Sequence, residues 1–185
     1  LEHSSQIGFP LAMKVLSNQI LHKTETGGVE LNIKNLEELK TSFQKLSNVF
    51  QKLKIKSSDE KFLIQKMEKG IVEIILGYRV DELVGPIVVL GSGGILSEIY
   101  NDKSIRMAPV DIIEAKKMIN EVKSLITITG YRGLPEADLN IIANAIVNMS
   151  KFAFVKEIKE AEINPVIVKK ENEGIVAVDG LITLN

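Results

Sequence analysis

The stretch IKEAEINPVIVKKENEGIVAVDGLITL, residues 158–184, decides the fold. Ile158 to Lys169 and Gly174 to Leu184 are two runs rich in β-branched residues around the polar Lys170 to Glu173, and Val176, Val178 and Ile182 alternate along the second arm. That pattern predicts a β-hairpin. Upstream of it, Leu139, Ile142, Ile146 and Met149 recur at helical spacing and predict a helix over 136–151, with another over about 111–123. Earlier still come strands. Ile95 to Tyr100 and Ser104 to Ala108 read as a pair joined by Asn101-Asp102-Lys103, and Pro86 to Leu90 reads as a buried strand running into the loop Gly91-Ser92-Gly93-Gly94. Val72 to Val80 and Phe62 to Met67 are further strands. Leu36, Leu39, Phe43, Leu46 and Phe50 predict an amphipathic helix over 35–53, capped by Asn35, with Glu37 and Glu38 suited to its first turn. Leu11 to Leu16 and Val29 to Ile33 are the first strands. Hairpins outnumber strand-helix-strand crossovers, so the expected class is α+β, mostly antiparallel sheet with flanking helices.

Bulk properties narrow the chemistry. At 185 residues and 45% hydrophobic, the chain can bury one good core or two small ones. It has no cysteine, which removes disulfides, thiolate metal sites and thiol nucleophiles. A net charge of -1 supplies no field for a nucleic-acid backbone. No apolar run is long enough to span a bilayer, and the amino terminus lacks the order of a signal peptide. A soluble, cytoplasmic protein is expected. Leu1 to Gln6 leads straight into Ile7-Gly8-Phe9-Pro10 with no room for a preceding strand, and Leu1-Glu2-His3 reads as vector residue or a cut point, so His3 is left out of the functional reading.

Four constellations carry candidate chemistry. Lys14 interrupts the apolar strand Leu11 to Leu16; its ammonium either reaches phosphate oxygens or snorkels from a strand edge. His22-Lys23-Thr24-Glu25-Thr26-Gly27-Gly28 joins an imidazole, a cation, hydroxyls and paired glycines in one loop. Glycines let backbone N–H groups close on phosphate, and imidazole can accept and release a phosphoryl group; an ordinary hairpin turn is the alternative. Gly91-Ser92-Gly93-Gly94 with Glu98, Asp102 and Arg106 is neither a dinucleotide fingerprint nor a Walker loop, and a tight strand corner would explain it equally. Glu162-Ile163-Asn164-Pro165 and Asp179 lie on opposite arms of the last hairpin, where oxygen donors from paired strands can meet at a hard cation such as Mg²⁺, or simply face solvent.

Taken together, these segments resemble one family: the ATP-grasp subunit of NDP-forming acyl-CoA synthetases, also called ADP-forming acetate–CoA ligases. The matching pieces run from Gly8-Phe9-Pro10 through Lys14, Ile20 to Val29, Gly85-Pro86, Gly91 to Glu98, Arg106 to Pro109 and Glu162 to Pro165, to Ala177-Val178-Asp179, in the family's order and spacing. The resemblance implies an ATP-grasp fold whose amino-terminal part is absent, with an incomplete amino-terminal lobe over 1–65 and a carboxy-terminal lobe over 66–185. It implies that Lys14 contacts nucleotide phosphates, that His22 serves in a phosphoryl relay, and that Gly27 and Gly28 lie over the phosphates. Gln65-Lys66-Met67-Glu68 would be the hinge meeting adenine, with Glu73 near the ribose. Asn164 and Asp179 would ligate Mg²⁺, and Arg106 and Glu98 would belong to the phosphate and metal region. Glu162 stands where aspartate is common, and Gly180 where alanine is usual; neither change removes a proposed ligand.

The implied activity is reversible phosphoryl exchange between phosphohistidine and Mg-ADP or Mg-ATP. The substrates would be acyl-CoA, ADP and phosphate on one side and acid, CoA and ATP on the other. The chain contains no CoA-binding module, so the expected partner is a CoA-binding subunit or domain, in a hetero-oligomer or a fused chain. Three alternatives remain: a non-catalytic regulatory domain of a protein acetyltransferase, the beta subunit of another acid–CoA ligase, and a purely structural partner protein.

Overall fold

Leu11, Met13 and Val15 alternate with Ala12 and Lys14, so a strand here presents a strictly apolar face to one side. In the computed structural model, which describes residues 6–17, 19, 23, 26–55, 60–94 and 101–185, that strand is β1 (Leu11–Leu16). It is the centre of a three-stranded antiparallel sheet, flanked by β2 (Val29–Ile33) and β3 (Lys61–Lys66). The apolar face packs on α1 (Leu36–Lys52), which begins where the Asn35 side chain accepts from the Glu38 N–H and carries Glu37 and Glu38 in its first turn. Leu39, Leu46, Val49 and Phe50 of α1 are buried, whereas Leu36 and Phe43 of the expected stripe are about half exposed. Three short strands cover only a narrow strip of the helix. Phe43 lies at its rim against Phe62, with ring centroids 4.8 Å apart.

The chain divides into two units, Leu1–Met67 and Glu68–Asn185, with the boundary two residues beyond the expected 65/66 junction. The second unit is built on six strands: β4 (Val72–Asp81), β5 (Gly85–Ser92), β6 (Lys103–Met107), β7 (Ile158–Val168), β8 (Ile175–Ala177) and β9 (Gly180–Leu184). All its pairings are antiparallel, in the order β6-β5-β4-β7-β8, and β9 continues the pairing along β7. The hairpin expected over 158–184 is therefore present, closed where the Lys169 N–H donates to the Gly174 carbonyl at 3.0 Å.

Two helices cover one face of this sheet. They are α2 (Ile112–Glu121), capped by Asp111, and α3 (Leu139–Ser150), capped by Asp138. Ile74, Leu76 and Tyr78 of β4, Val88 and Leu90 of β5 and Val166 and Val168 of β7 meet Met118, Ile119, Ile142 and Ile146 in one core. A 3-10 segment, Lys123–Ile128, follows α2 and sends Leu125 and Ile128 into the same core. The expected loop at Gly91-Ser92 is instead the last turn-free part of β5, paired with Ile75 and Ile74. The expected strand Ile95 to Tyr100 lies outside the described residues, and β6 pairs with β5. No described helix is long and apolar enough to cross a membrane.

Candidate functional site

In the first unit, Lys14 sits on the central strand with only 5% of its surface exposed, opposite Val29 of β2 and Leu63 of β3. Strand alternation turns it to the face opposite α1, together with Ala12 and its neighbour Gln65 across the pair. A buried cation on the middle strand of a small sheet has to be offset by polar or anionic groups around it.

The glycine turn lies beside it. The Val15 N–H donates to the Gly28 carbonyl at 2.9 Å, and the Lys23 carbonyl accepts from both the Gly28 N–H (2.6 Å) and the Thr26 hydroxyl (3.0 Å). A Cβ at position 28 would lie 2.6 Å from Val15 Cγ2 and 3.0 Å from the Lys23 carbonyl oxygen, so only glycine fits that approach. Gly27 has φ of +71° and supplies the left-handed turn. His22, the expected relay residue, and Glu98 lie outside the described residues.

Lys66 and Met67 occupy the other end of the same sheet. Lys66 pairs with Leu11, and the Met67 N–H donates to the Pro10 carbonyl at 3.0 Å. Met67 therefore offers a ligand its carbonyl and side chain; its N–H is already used within the sheet. The three residue steps of β1 from Leu11 to Lys14 separate this end from the glycine turn by roughly 10 Å.

In the second unit, Glu68 precedes β4, Glu73 lies on β4, Asn164 on β7, and Asp179 between β8 and β9. The Asn164 N–H donates to the Asp179 carbonyl at 3.1 Å, which makes the two expected metal ligands direct cross-strand neighbours. Ile74 pairs with Val166 and Leu76 with Ile163, so β7 carries one extra residue, and that bulge falls at Asn164-Pro165. A bulge re-aims a side chain out of the pleat. No sequence motif announced it beyond the Asn-Pro step itself. Glu73 alternates with buried Ile74 and so faces away from the helices, as does Glu162, which follows Ala161 of the core. Gly93 is pressed on Glu73: its N–H donates to the Glu73 carbonyl at 2.8 Å, and a Cβ there would lie 2.8 Å from that same peptide.

A cation at Asn164 and Asp179 suits the donors present. Among the described residues no group of three or more His, Cys, Asp or Glu side chains could hold a metal ion. One amide oxygen and one carboxylate would leave most of the coordination sphere to phosphate oxygens and water, which is the habit of Mg²⁺ rather than of Zn²⁺.

Arg106 and Asp102 take different places. The Arg106 guanidinium lies on the helix side of β6, where it donates to Glu121 and, at 3.2 Å, to Glu114 of α2; its Nη1 also reaches Ser104 Oγ at 3.3 Å. The bonds to Glu121 and then Glu114 raise its affinity for its proton. The Glu121 carboxyl is held below the usual carboxylate range by Arg106 and then Ser104, and Glu114 by Lys117 and then Arg106. Burial pushes Asp102 up, but the Ser124 and Lys123 backbone N–H groups, at 2.8 and 2.9 Å, outweigh it and hold the carboxyl low. These side chains tie β6 to α2 and to the 3-10 segment.

The sign of the pH dependence follows. A carboxyl whose folded pKa is depressed stabilises the fold above its unfolded pKa, about 4. That stability is lost as pH falls through the folded value. The thermal midpoint is expected to drop between pH 5 and pH 3, and Arg106→Met is expected to flatten that drop; equal slopes in calorimetry for the two proteins would contradict it.

An ATP-grasp domain family model matches residues 1–184. The beta subunit of ADP-forming acetate–CoA ligase II from Pyrococcus furiosus is 37% identical over all of this chain, which spans 79% of that subunit. The ADP-forming 4-hydroxybutyrate–CoA ligase of Nitrosopumilus maritimus is 35% identical over 98% of this chain, which spans 26% of that longer ligase. Among solved structures, the dinucleotide-forming acetyl-CoA synthetase 1 of Ca. Korarchaeum cryptofilum is similar at a TM-score of 0.78 and 32% identity. That likeness covers 100% of this chain and 80% of that one; the synthetase was solved with coenzyme A and Mg-AMPPCP, its phosphohistidine segment pointing towards the nucleotide binding site. With a buried strand lysine, a glycine turn and cross-strand Asn164 and Asp179 on an antiparallel α+β frame, the chain belongs to the ATP-grasp family, in the branch of the ADP-forming acetate–CoA ligase beta subunits.

Proposed function

We propose that this chain is the nucleotide-binding half of an ADP-forming acyl-CoA synthetase, a cytoplasmic acid–thiol ligase completed by a CoA-binding subunit or domain. The observation that most supports it is the pairing of Asn164 with Asp179 at a strand bulge. That pairing sets side by side two residues whose side chains carry hard oxygen donors. Mg²⁺ held there would neutralise charge on the diphosphate oxygens.

The chain's own groups divide the remaining work. Lys14 attracts phosphate oxygens from a face where water competes poorly. Gly27 and Gly28 let backbone approach the phosphates without a side chain in the way. Lys66, Met67 and Glu68 hold the base, and Glu73 meets the ribose. Arg106 acts from a distance by fixing β6 through Glu114 and Glu121. His22 takes and gives the phosphoryl group: the P–N bond to imidazole breaks as a P–O bond to the terminal ADP oxygen forms, leaving ATP and free imidazole. The acyl group is chosen on the CoA-binding partner.

The test is calorimetry followed by reconstitution. The isolated chain is expected to bind Mg-ADP and to make no ATP from acyl-CoA, ADP and phosphate; adding the CoA-binding module is expected to restore synthesis. Failure to bind Mg-ADP, or full turnover by the isolated chain, would overturn the assignment.

A further inference from the structure

The passage into the second unit is clamped to the end of β7. Lys169 Nζ lies 2.7 Å from Glu68 Oε2, and both side chains are largely withdrawn from water, at 24% and 22% exposed. Two residues on, Gly70 is packed so tightly that a Cβ would lie 2.2 Å from the Val168 carbonyl oxygen and 2.5 Å from Ile167 Cγ2. The Ile71 N–H then donates to that same carbonyl at 2.8 Å. An ion pair, a side-chain-free crossing and a backbone hydrogen bond thus fix residues 68–71 on residues 167–169 before β4 begins.

We propose that Lys169 is a positioning residue for the nucleotide base. The inference rests on the reading of Lys66 to Glu68 as the base-holding stretch. Backbone groups that read a base edge work only when held within a fraction of an ångström. Adenine presents an acceptor at N1 and a donor at N6, whereas guanine presents the reverse, so a fixed backbone edge discriminates between them and a loose one does not. Loss of the Lys169 ammonium removes one of the contacts that hold the withdrawn Glu68 carboxylate, and so loosens the Glu68 peptide. The ion pair therefore completes the ordering of this stretch during folding, so that it is not charged against nucleotide binding.

The test measures ADP and GDP binding to the full chain by calorimetry, with Mg²⁺, for the wild type, Lys169→Met and Lys169→Arg. Lys169→Met is expected to bind ADP about tenfold more weakly, with a reduced ADP-over-GDP preference and an unchanged Mg²⁺ requirement. Lys169→Arg, which keeps the pair, is expected to restore both. A purely structural lysine would shift the thermal midpoint and leave the base preference untouched, and that result overturns the inference. Wild-type hydrogen exchange covers the case in which Lys169→Met does not fold. Amides of residues 68–71 are expected to be protected before ADP is added, and protection arising only with ADP would overturn the proposal equally. Absence of ADP binding by the wild type would instead overturn the reading beneath it.

Discussion

Asp179→Asn is expected to bind Mg-ADP about two orders of magnitude more weakly than the wild-type chain, a loss of about 2.7 kcal/mol, with little change in thermal midpoint. The two effects separate for a structural reason. Asp179 Oδ1 accepts the adjacent Gly180 N–H at 3.1 Å, and its carbonyl accepts the Asn164 N–H. Asparagine keeps an oxygen for the first contact and leaves the second untouched. What disappears is the negative charge of the proposed carboxylate ligand, beside the neutral Asn164 amide. A divalent cation held by so few protein donors depends heavily on that charge. Calorimetry with Mg²⁺ and with chelator decides the matter. A variant with wild-type Mg²⁺ dependence would remove Asp179 from the metal site.

The second large effect concerns His22. In the enzyme reconstituted with its CoA-binding module, His22→Ala is expected to keep Mg-ADP affinity within a few-fold and to lower turnover by about 10² or more, the scale of losing a group used in the transition state. Imidazole forms a labile phosphoramidate and releases it; alanine, asparagine and glutamine cannot. The neighbouring Gly27-Gly28 turn is held through Val15, Lys23 and Thr26, so nucleotide binding is expected to survive the substitution. Steady-state rates together with acid-labile ³²P on this chain are the measurement. Near-normal turnover, with no label on the wild-type chain, would leave this subunit a plain nucleotide-binding role.

The local parts of the fold were legible because local rules decide them. Alternation in β7 and β8, the Asn35 cap and the apolar spacing of α3 each announce their element within a few residues. The 3-10 segment Lys123–Ile128 escaped because no side chain caps it locally; its amide donors are satisfied by Asp102, 21 and 22 residues away in sequence. The partners of Arg106, Glu114 and Glu121, arrive from another element, and nothing near Arg106 in sequence signals that pairing. Lys14 was legible as an anomaly, since a lysine within an apolar strand has to be accounted for. The clamp at Glu68 and Lys169 left no trace, because an ion pair across a hundred residues has no periodicity.

Asn164 stands on β7 and Lys169 directly follows its last residue, five residues on, as Leu11 and Lys14 stand on β1. Strands come only in whole residues, and a shift of one turns every side chain to the opposite face. The spacing along β7 is thus a ruler with coarse graduations, and it cannot be tuned by small steps. Loops on either side are free to drift between descendants of this protein, whereas a single insertion inside β7 would misplace both ends at once. Divergence in this branch should therefore collect in the turns and on the partner module, while the length of this strand stays quantised.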